Sequence, residues 1–548
     1  MSGILLAAIN AKWIHPSLAL RLLKANLGSL EDECVILEFA LRQPLKEKVE
    51  PILAAQPRIL GLSVSIWNHK ATMELLEKLN IEWEKNIEKE AWPNSNTVSR
   101  PIVVLGGPEV SWLPENSEIF RHADYVIRGE GEESFRNLCQ EVFSSAGTVH
   151  PEGSLSNGNH RTLFINRGNT IVDVKTNASP YRLYTEEDLE KKLIYVEASR
   201  GCPFACDFCL GPARTGIPDT DKSYTNKSCN NKLDAGKPDV YYPGISFMQE
   251  IPITPTNPKL ARVREFPLEP FLIDMEKLIK SGGRQFKFLD RTFNLNTARA
   301  KKIMEFFLAH IINQQKNGAK GNHLCVHFEI FPLPLPHELK VLLPRFPPGS
   351  LRLELGIQTF NPQTSSLINR SGTPESAEKQ AREALETLRF IGRETNAIIH
   401  ADLIAGLPGE TIASFGTGFD LLWQTLSAAG SSFEIQLGIL KCLPGTPIAR
   451  HNETHGMKYS AEPPYEVIET ATLSAGELLQ LKNFARFWEI IVNRNPFPQF
   501  ISRFVPSGVC VFEKFMALSE CLINKFGRNW GIDRAHLKDF LFEYYDIE

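Results

Sequence analysis

The 548-residue sequence predicts an α/β protein with a doubly wound parallel sheet, then a partial (β/α)6 barrel, then a helical C-terminal region. Three observations predict this class. Short β-rich runs alternate with amphipathic stretches over the first 145 residues, a second strand–helix series begins near residue 193, and helical patterns fill most of residues 464–548. The second series has six strand–helix units, too few for a closed eight-stranded barrel, so we expect an open one.

The first series predicts a parallel sheet that is buried on both faces, because near-continuous Val/Ile/Leu runs end in glycine-containing turns. The predicted strands are 3–9, 34–39, 58–64, 101–105 and 125–127, and the predicted helices are 18–27, 49–55, 72–83 and 132–143. Ligands of such sheets bind beyond the carboxyl ends of the strands. Small residues gather there, in GLSVSIWN (61–68), LGGPEVSW (105–112) and RGEGEES (128–134).

The composition excludes several classes of protein. Sixty basic and 64 acidic residues give a formal net charge of −4, so no general positive field draws the chain to nucleic acid or anionic lipid. No apolar run approaches the roughly 18 residues that would span a bilayer. Ten cysteines without dense, even spacing are typical of a reducing compartment. We therefore expect a cytoplasmic protein with no membrane or nucleic-acid partner.

Polar stretches at about 86–100, 144–160 and 216–262 predict surface inserts between the structured parts. The segment TLFINRGNTIVDV (162–174) predicts a hairpin around residues 167–169. The predicted organisation is a first domain over 1–145, a linker with the hairpin over 146–192, a barrel over 193–455 that carries the insert 216–262, and a helical region over 456–548.

The strands of the second series, predicted at 193–198, 284–289, 324–331, 351–357, 398–404 and 433–440, have one apolar and one unusually polar face. The polar face carries Tyr195, Glu197, Ser199, His327, Glu329, Arg352, Glu354, Gly356, Gln358, His400, Asp402, Glu434 and Gln436. A buried unpaired charge costs several kcal/mol, so this face predicts a wet or ligand-filled chamber. The alternative is an antiparallel sheet with one solvated face.

The first of these strands is followed by EASRGCPFACDFCLGP, which places Cys202, Cys206 and Cys209 in the spacing C-x3-C-x2-C. A [4Fe–4S] cluster normally takes four cysteines, so three local ligands leave one iron free for a non-protein ligand. Two alternatives stay open: a zinc site completed by Cys229, and three unrelated buried thiols.

With Phe208 as its aromatic residue, the motif C-x3-C-x-aromatic-C resembles that of the radical S-adenosylmethionine enzymes over about 190–455. The resemblance implies that the open iron binds S-adenosylmethionine. It also implies that an electron, from a donor such as flavodoxin or ferredoxin, splits this cofactor into methionine and a 5′-deoxyadenosyl radical that abstracts a hydrogen atom. It carries the family's cofactor contacts over to Phe208, Asp290, Glu354, Gln358, Gly406, Gly409 and Leu440.

Ordinary structural roles are the alternatives for these contacts. FKFLDRTFN departs from the family's Gly-Gly-Glu motif, so capping or loop roles for Thr292 and Asn294 compete with the assignment of Asp290. Glu354 has the alternative of a pair with Arg352 in the sheet. The glycines of ADLIAGLPGET (401–411) also fit a plain strand-to-helix turn, and Leu440 also fits ordinary core packing.

The first 145 residues, joined to this barrel, resemble the cobalamin-binding domain of cobalamin-dependent radical S-adenosylmethionine proteins. The resemblance implies cobalamin contacts at Ser63, Ser65, Gly106, Gly107, Glu109, Gly129 and Gly131. The motif D-x-H-x-x-G is absent, and His15 and His69 fit no such pattern, so we expect a cobalt without a histidine ligand. The alternative is a docking domain whose glycines only make turns.

The resemblance implies methyl transfer to an unactivated carbon of a small or medium-sized substrate. Glu354, His400 and Asp402 are the candidate catalytic residues, and Glu434 and Gln436 are further polar lining. A radical rearrangement, cyclisation or oxidation without methyl transfer is one alternative. An iron–sulfur protein that binds S-adenosylmethionine without turnover is another.

Overall fold

The computed structural model describes residues 3–88, 100–144, 162–165, 171–210, 263–316, 323–430 and 432–545. Most of the predicted polar inserts, the predicted turn at 167–169 and Cys229 lie outside these residues. None of the helices in the described ranges is long and apolar enough to cross a membrane.

The N-terminal domain contains a six-stranded parallel sheet in the order β2-β1-β3-β4-β5-β6. Its strands are β1 (Ile4–Asn10), β2 (Cys34–Ala40), β3 (Ile59–Ser63), β4 (Ile102–Gly106), β5 (Tyr125–Ile127) and β6 (Leu163–Ile165). Its helices are α1 (Leu18–Ala25), α2 (Leu45–Ala55), α3 (His69–Glu88) and α4 (Glu132–Ser144). The segment 163–165, predicted as one arm of a hairpin, is the parallel edge strand β6.

Alternate residues of β1 belong to two separate cores, one on each face of this sheet. Leu5, Ala7 and Ile9 pack with α2 and α3, whereas Leu6 and Ala8 pack with α1 and α4. Because every strand side chain then meets a helix, strands of this kind must be apolar on both faces. The doubly wound arrangement predicted from the sequence is confirmed.

The second sheet is also six-stranded and parallel, with its strands in sequence order. The strands of this half are β7 (Ile194–Val196), the antiparallel pair β8 (Ser199–Arg200) and β9 (Arg264–Glu265), then β10 (Gln285–Phe288), β11 (Cys325–Ile330), β12 (Leu351–Gln358), β13 (Ile398–Ala405) and β14 (Phe433–Ile439). Its helices are α5 (Glu186–Lys191), α6 (Leu268–Lys280), α7 (Thr297–Lys316), α8 (His337–Leu342), α9 (Pro362–Leu367), α10 (Pro374–Glu394) and α11 (Ile412–Ser427). A partial (β/α)6 barrel is confirmed, and the antiparallel alternative is wrong.

Capping groups in the sequence set where several barrel helices begin. The Thr373 and Thr411 side chains accept hydrogen bonds from backbone N–H groups three residues on, and each threonine N–H is bonded in return. These reciprocal bonds satisfy donors that a helix leaves open at its N-terminus. Helix starts are thereby fixed close to the carboxyl ends of β12 and β13, where the candidate site lies.

The C-terminal region is helical, as predicted, and shares the barrel's main core. A small antiparallel pair, β15 (Lys458–Tyr459) and β16 (Val467–Glu469), precedes α12 (Ala475–Trp488), α13 (Pro498–Phe504), α14 (Phe512–Phe526) and α15 (Arg534–Tyr544). Phe484 and Trp488 of α12 pack edge-on against Phe419 of α11. These aromatic contacts bury large apolar areas and fix α12 on the outside of the barrel.

Candidate functional site

The three-cysteine loop leaves the barrel just after β8, at the carboxyl end of the β7 strand. Cys202 and Cys206 are buried, Cys209 is partly buried, and none of the three forms a disulfide with another described residue. Burial raises the pKa of Cys202 to about 11, and the neighbouring Cys209 and Cys206 add to this effect. Burial also raises the pKa of Cys206. The three thiols therefore lie close enough for the charge of one to affect the others.

Hydrogen bonds from two other parts of the chain hold this loop. Asp207, 1% exposed, is hydrogen-bonded to His451 Nε2 at 2.9 Å and forms an ion pair with Arg450 Nη2 at 2.7 Å. Its backbone N–H donates to the Ile368 carbonyl at 2.9 Å. Asn369 Nδ2 donates to the Ala205 carbonyl at 3.1 Å. The loop is thus fixed in place before any ligand binds, which is what a preorganised site requires.

Two guanidinium groups stand beside the thiols. Arg370 Nη1 lies 3.9 Å from Cys206 Sγ, and its Nη2 donates to the Gly356 carbonyl. The Arg291 side chain is exposed to solvent by its surface area, but neighbouring protein atoms crowd its guanidinium group. Burial lowers the pKa of Arg291, but Glu329 and Cys209 raise it above its usual range. Positive charges at these positions favour thiolates, which are the metal-binding form of cysteine.

The loop residues fit an iron–sulfur cluster better than a single metal ion. Among the described residues, no group of three or more His, Cys, Asp or Glu side chains could hold a metal ion. A four-iron cubane is far larger than one ion and holds its cysteine sulfurs further apart. Two buried thiols and one partly buried thiol on an anchored loop, with cations nearby, agree with such a cluster, whereas the zinc alternative depends on Cys229, which lies outside the described residues.

The polar face of the barrel forms rows across neighbouring strands. One row runs through Lys287, His327 and Arg352, and the next through Glu329, Glu354, His400 and Glu434. A third joins Gly356, Asp402 and Gln436. Side chains in one row stand about 5 Å apart, so charges on this face interact strongly.

Glu354 is the centre of an ion-pair group on this face. Its Oε2 lies 3.1 Å from Lys287 Nζ and 3.0 Å from His327 Nε2. Burial raises the pKa of Glu354, but the hydrogen bond with His327 and the charge of Lys287 lower it to about 2. The Lys287 ammonium group and the His327 imidazole therefore replace the Arg352 pair that the sequence left open.

His400 and Asp402 have buried polar atoms without a partner. His400 Nδ1 lies 3.0 Å from Gln436 Nε2 and 3.3 Å from Glu434 Oε2, and its ring stacks on His327 at 5.2 Å. No hydrogen-bond partner for His400 Nε2 or Asp402 Oδ1 occurs among the described residues. Such atoms are rare in folded proteins and are expected where a ligand or water completes the site.

Two carboxyl groups of the chamber hold their protons at neutral or mildly acidic pH. Burial, together with the carboxylates of Glu354 and Glu329, raises the pKa of Asp402 to about 8. Burial also raises the pKa of Glu329 to about 6. Carboxyl groups of one chamber thus differ in charge at pH 7, which is typical of sites that handle protons.

The Asp290 carboxyl group is hydrogen-bonded to backbone and hydroxyl groups at the start of the cysteine loop. Its Oδ2 accepts a hydrogen bond from Ala198 N at 2.9 Å, and its Oδ1 accepts one from Ser199 Oγ at 2.5 Å. Burial raises its pKa to about 7, against the lowering effect of these bonds. Asn294, the alternative in this motif, bonds to both backbone groups of Phe331. Both side chains therefore hold loops together in this structure.

The remaining predicted cofactor contacts on the barrel have different structural roles. A Cβ on Gly406 would lie 2.5 Å from Val467 Cγ1, and Leu440 is 2% exposed in the core, so both positions serve packing. Gly409 has a positive φ of 75°, as a tight turn requires. Gln358 ends β12 with a φ of 70°, and its amide lies over Gly356. Phe208 packs against the main core.

The predicted cobalamin contacts gather at the carboxyl ends of β3, β4 and β5. These residues are Ser63, Ser65, Gly106, Gly107, Glu109, Gly129 and Gly131. Gly107 has a φ of 109°, and a Cβ there would lie 2.5 Å from the Val64 carbonyl oxygen. Gly129 donates its N–H to Ser111 Oγ at 3.0 Å. Glycine at 107 is therefore required by the backbone itself.

Glu109 is engaged by the other half of the molecule. Its Oε1 accepts a hydrogen bond from Tyr465 Oη at 2.7 Å and lies 3.1 Å from His69 Nδ1. The carboxylate is 4% exposed. In this structure Glu109 therefore joins the two domains, and its predicted ligand contact would compete with that role.

The structure brings residues to these two edges that the sequence reasoning did not single out. Trp13 and Trp67, 49% and 52% exposed, lie in the segments after β1 and β3, where the strand order reverses. Arg291 and Arg370 stand near the cysteines. Trp67 lies inside GLSVSIWN, already noted, and Trp13 lies in NAKWIHP (10–16); aromatic residues that follow strands at this edge are the signal that could have found them.

Comparison with known proteins agrees with this architecture. A family model described as the B12 binding domain matches residues 4–139, and a model described as a protein of unknown function (DUF4080) matches residues 453–547. No curated protein matches the chain.

Solved structures of two proteins resemble the whole arrangement. One is the radical S-adenosylmethionine methyltransferase TsrM from Kitasatospora setae, with tryptophan substrate and an S-adenosylmethionine analogue bound. It is 17% identical with a TM-score of 0.53, over 86% of this chain and 80% of TsrM. The other is the cobalamin-dependent S-adenosylmethionine radical enzyme OxsB with aqua-cobalamin and S-adenosylmethionine bound, 13% identical with a TM-score of 0.56. That match covers 97% of this chain and 76% of OxsB.

The chain thus has a B12-binding domain joined to a partial (β/α)6 barrel. This is the fold of the cobalamin-dependent radical S-adenosylmethionine enzymes, and the resemblance inferred from the sequence is confirmed at the level of the fold.

Proposed function

We propose that this chain is a cobalamin-dependent radical S-adenosylmethionine enzyme that holds a [4Fe–4S] cluster on Cys202, Cys206 and Cys209. The observation that carries the proposal is the anchored cysteine loop, with two guanidinium groups that lie between it and the polar face of the barrel. Three protein sulfurs leave one iron for S-adenosylmethionine. The fold shared with TsrM and OxsB supports the same assignment.

The residues of the chain have distinct tasks in this proposal. Bound together, the cofactors would supply a 5′-deoxyadenosyl radical to the substrate and, from cobalamin, a methyl group. Asp207 and Asp290 position the cysteine loop through the hydrogen bonds described above. Arg370 and Arg291 offset the negative charge of the thiolates. Glu354 holds the Lys287 side chain on the polar face of the barrel. His400 Nε2 and Asp402 Oδ1 are available to bind a substrate.

The finer proposal is methyl transfer to an unactivated carbon of a small or medium-sized substrate, with an electron from a carrier such as flavodoxin or ferredoxin. The cobalamin would bind at the edge where β3, β4 and β5 end, beside Trp13 and Trp67. The sequence lacks the motif D-x-H-x-x-G, and neither His69, bonded through Nδ1 to Glu109, nor His15, bonded through Nδ1 to Tyr195 Oη at 2.8 Å, fits that pattern. We therefore propose a cobalt without a histidine ligand.

Radical oxidation, rearrangement or cyclisation without methyl transfer is a second candidate. His400 favours it, because an oxidation releases a proton, and a proton taken up by this imidazole would be held in an ion pair with the Glu434 carboxylate, whose Oε2 lies 3.3 Å from His400 Nδ1. Product analysis separates the two: S-adenosylhomocysteine accompanies methyl transfer only.

The test is anaerobic reconstitution with iron and sulfide, followed by dithionite and S-adenosylmethionine. The wild-type protein should turn brown and release 5′-deoxyadenosine. Cys206→Ala should lose the cluster absorbance and the product, whereas Cys325→Ala, at another buried thiol on β11, should keep both. An intact wild-type cluster that yields no 5′-deoxyadenosine would reject the enzyme assignment.

A further inference from the structure

A group of five charged side chains joins the two domains directly beside the cysteine loop. Glu130 and Glu132 come from the N-terminal domain, and Glu197, Arg200 and Arg264 from the barrel. We call this group the domain clamp. We propose that Arg200 is a positioning residue that holds the cysteine loop in register with the ligand edge of the N-terminal domain. The inference rests on the proposed function, which gives both edges their cofactors.

Arg200 is bonded to carboxylates of both domains at once. Its Nε and Nη2 each lie 2.9 Å from one oxygen of Glu197 in its own domain. Its Nη1 lies 2.9 Å from Glu132 Oε1 and 3.5 Å from Glu130 Oε1 across the interface. An arginine side chain is always charged in proteins, and its planar fork defines the geometry of these contacts.

Arg264 lies opposite Arg200 in the β8–β9 pair, so two positive charges face each other within the domain clamp. Like charges at facing positions repel each other. Glu130 separates them, since its Oε2 accepts a hydrogen bond from Arg264 Nη1 at 2.9 Å and its Oε1 faces Arg200. Arg264 also bonds to the Val172 carbonyl at 2.9 Å, so it ties the same carboxylate to the linker rather than to the cysteine loop.

Both ends of the clamp are attached to candidate ligand contacts. Arg200 precedes Cys202 by two residues, at most about 7 Å of extended backbone. Glu130 and Glu132 flank Gly131, a predicted cobalamin contact, in the first turn of α4 and the loop before it. A shift of one edge must therefore move or break the bonds that hold the other.

The first test needs no cofactor and uses the full-length chain. Hydrogen–deuterium exchange should become at least about fivefold faster over residues 199–210 and over the start of α4 in Arg200→Gln. Arg264→Gln, which removes the facing guanidinium, should leave residues 199–210 as in the wild type. Arg200→Lys keeps the charge without the planar fork, so its exchange rate over residues 199–210 should lie between those of Arg200→Gln and Arg264→Gln. Wild-type exchange in Arg200→Gln would overturn the proposal.

The second test measures the coupling between the two sites. Hydroxocobalamin is titrated into protein with and without the reconstituted cluster, and the two values of Kd are compared. Wild type and Arg264→Gln should bind it at least about fivefold more tightly when the cluster is present, and Arg200→Gln should lose this difference. An unchanged ratio in Arg200→Gln would contradict the role of Arg200. A wild type that takes up neither cofactor would instead reject the proposed function, and the exchange experiment would still decide what Arg200 holds.

Discussion

At the scale of single residues, the ion-pair group on the polar face of the barrel depends on Glu354. Its carboxylate is shared by Lys287 and His327, and Glu354→Gln removes the negative charge that both contact. We expect this variant to lose about 1–3 kcal/mol of unfolding free energy at pH 7. Glu434→Gln, at a half-exposed position that faces His400, should lose less. Urea unfolding measures both, and equal losses would contradict the central place of Glu354.

The pH dependence of the Glu354 contribution has a definite sign. Its pKa is lowered to about 2 in the folded chain, so the folded state favours the ionised form. The stabilisation is present above the ordinary carboxyl pKa of about 4 and is lost as the pH falls toward 2. The difference between wild type and Glu354→Gln should shrink over this range.

The contribution of Asp402 to stability depends on pH with the opposite sign. Its pKa is raised to about 8, so the folded chain holds a proton that the unfolded chain releases near pH 4. The free energy of unfolding therefore falls as the pH rises from about 4 to 8, with a slope contribution of about 1.4 kcal/mol per pH unit. Asp402→Asn should remove this slope, and Asp539→Asn, at an exposed site on α15, should not. Parallel stability curves for wild type and Asp402→Asn would be the contrary result.

At the scale of elements, the turn after β4 carries the ligand edge of the N-terminal domain. Gly107 has a φ of 109°, and a Cβ there would meet the Val64 carbonyl, whereas the nearest atom to a Cβ on Gly106 is 3.8 Å away. Gly107→Ala should cost about 3 kcal/mol of unfolding free energy and weaken cobalamin binding. Gly106→Ala is the matched control for stability and should change the free energy of unfolding little. Equal effects at the two glycines would show that the backbone conformation is not the cause.

The elements themselves were predictable because burial patterns are local. Runs such as Ile4–Asn10 are apolar on both faces, whereas the strand Leu351–Gln358 alternates, and each pattern fixes how its strand is covered. The edge strand β6 was not recognised because three residues beside a turn look the same in a hairpin and in a parallel sheet.

At the scale of the whole molecule, the domains are joined through buried polar contacts. Tyr465 Oη donates to Glu109 at 2.7 Å, and Tyr465→Phe would leave that buried oxygen with His69 alone among the described residues. We expect a loss of about 1–3 kcal/mol and a less cooperative unfolding of the N-terminal domain. Tyr459→Phe removes only a contact with Met457 Sδ at 3.4 Å and serves as the control. Equal melting curves for the two variants would argue against this joint.

Pairings across the molecule could not be read from the sequence. The cysteine spacing and the polar face were visible because both are local patterns. The partners of Glu354, Asp290 and Glu109 depend on strand register and on the meeting of distant segments. For the same reason the bonds of Arg200 to Glu132 had no signal in the sequence.

The central claim is a cluster held by three protein sulfurs, with one iron open to S-adenosylmethionine. The most direct measurement is the electron paramagnetic resonance spectrum of the anaerobically reconstituted, dithionite-reduced protein, recorded before and after S-adenosylmethionine is added. The account predicts a four-iron signal whose g values shift when the compound binds. A reduced cluster whose spectrum stays the same in saturating S-adenosylmethionine would contradict it.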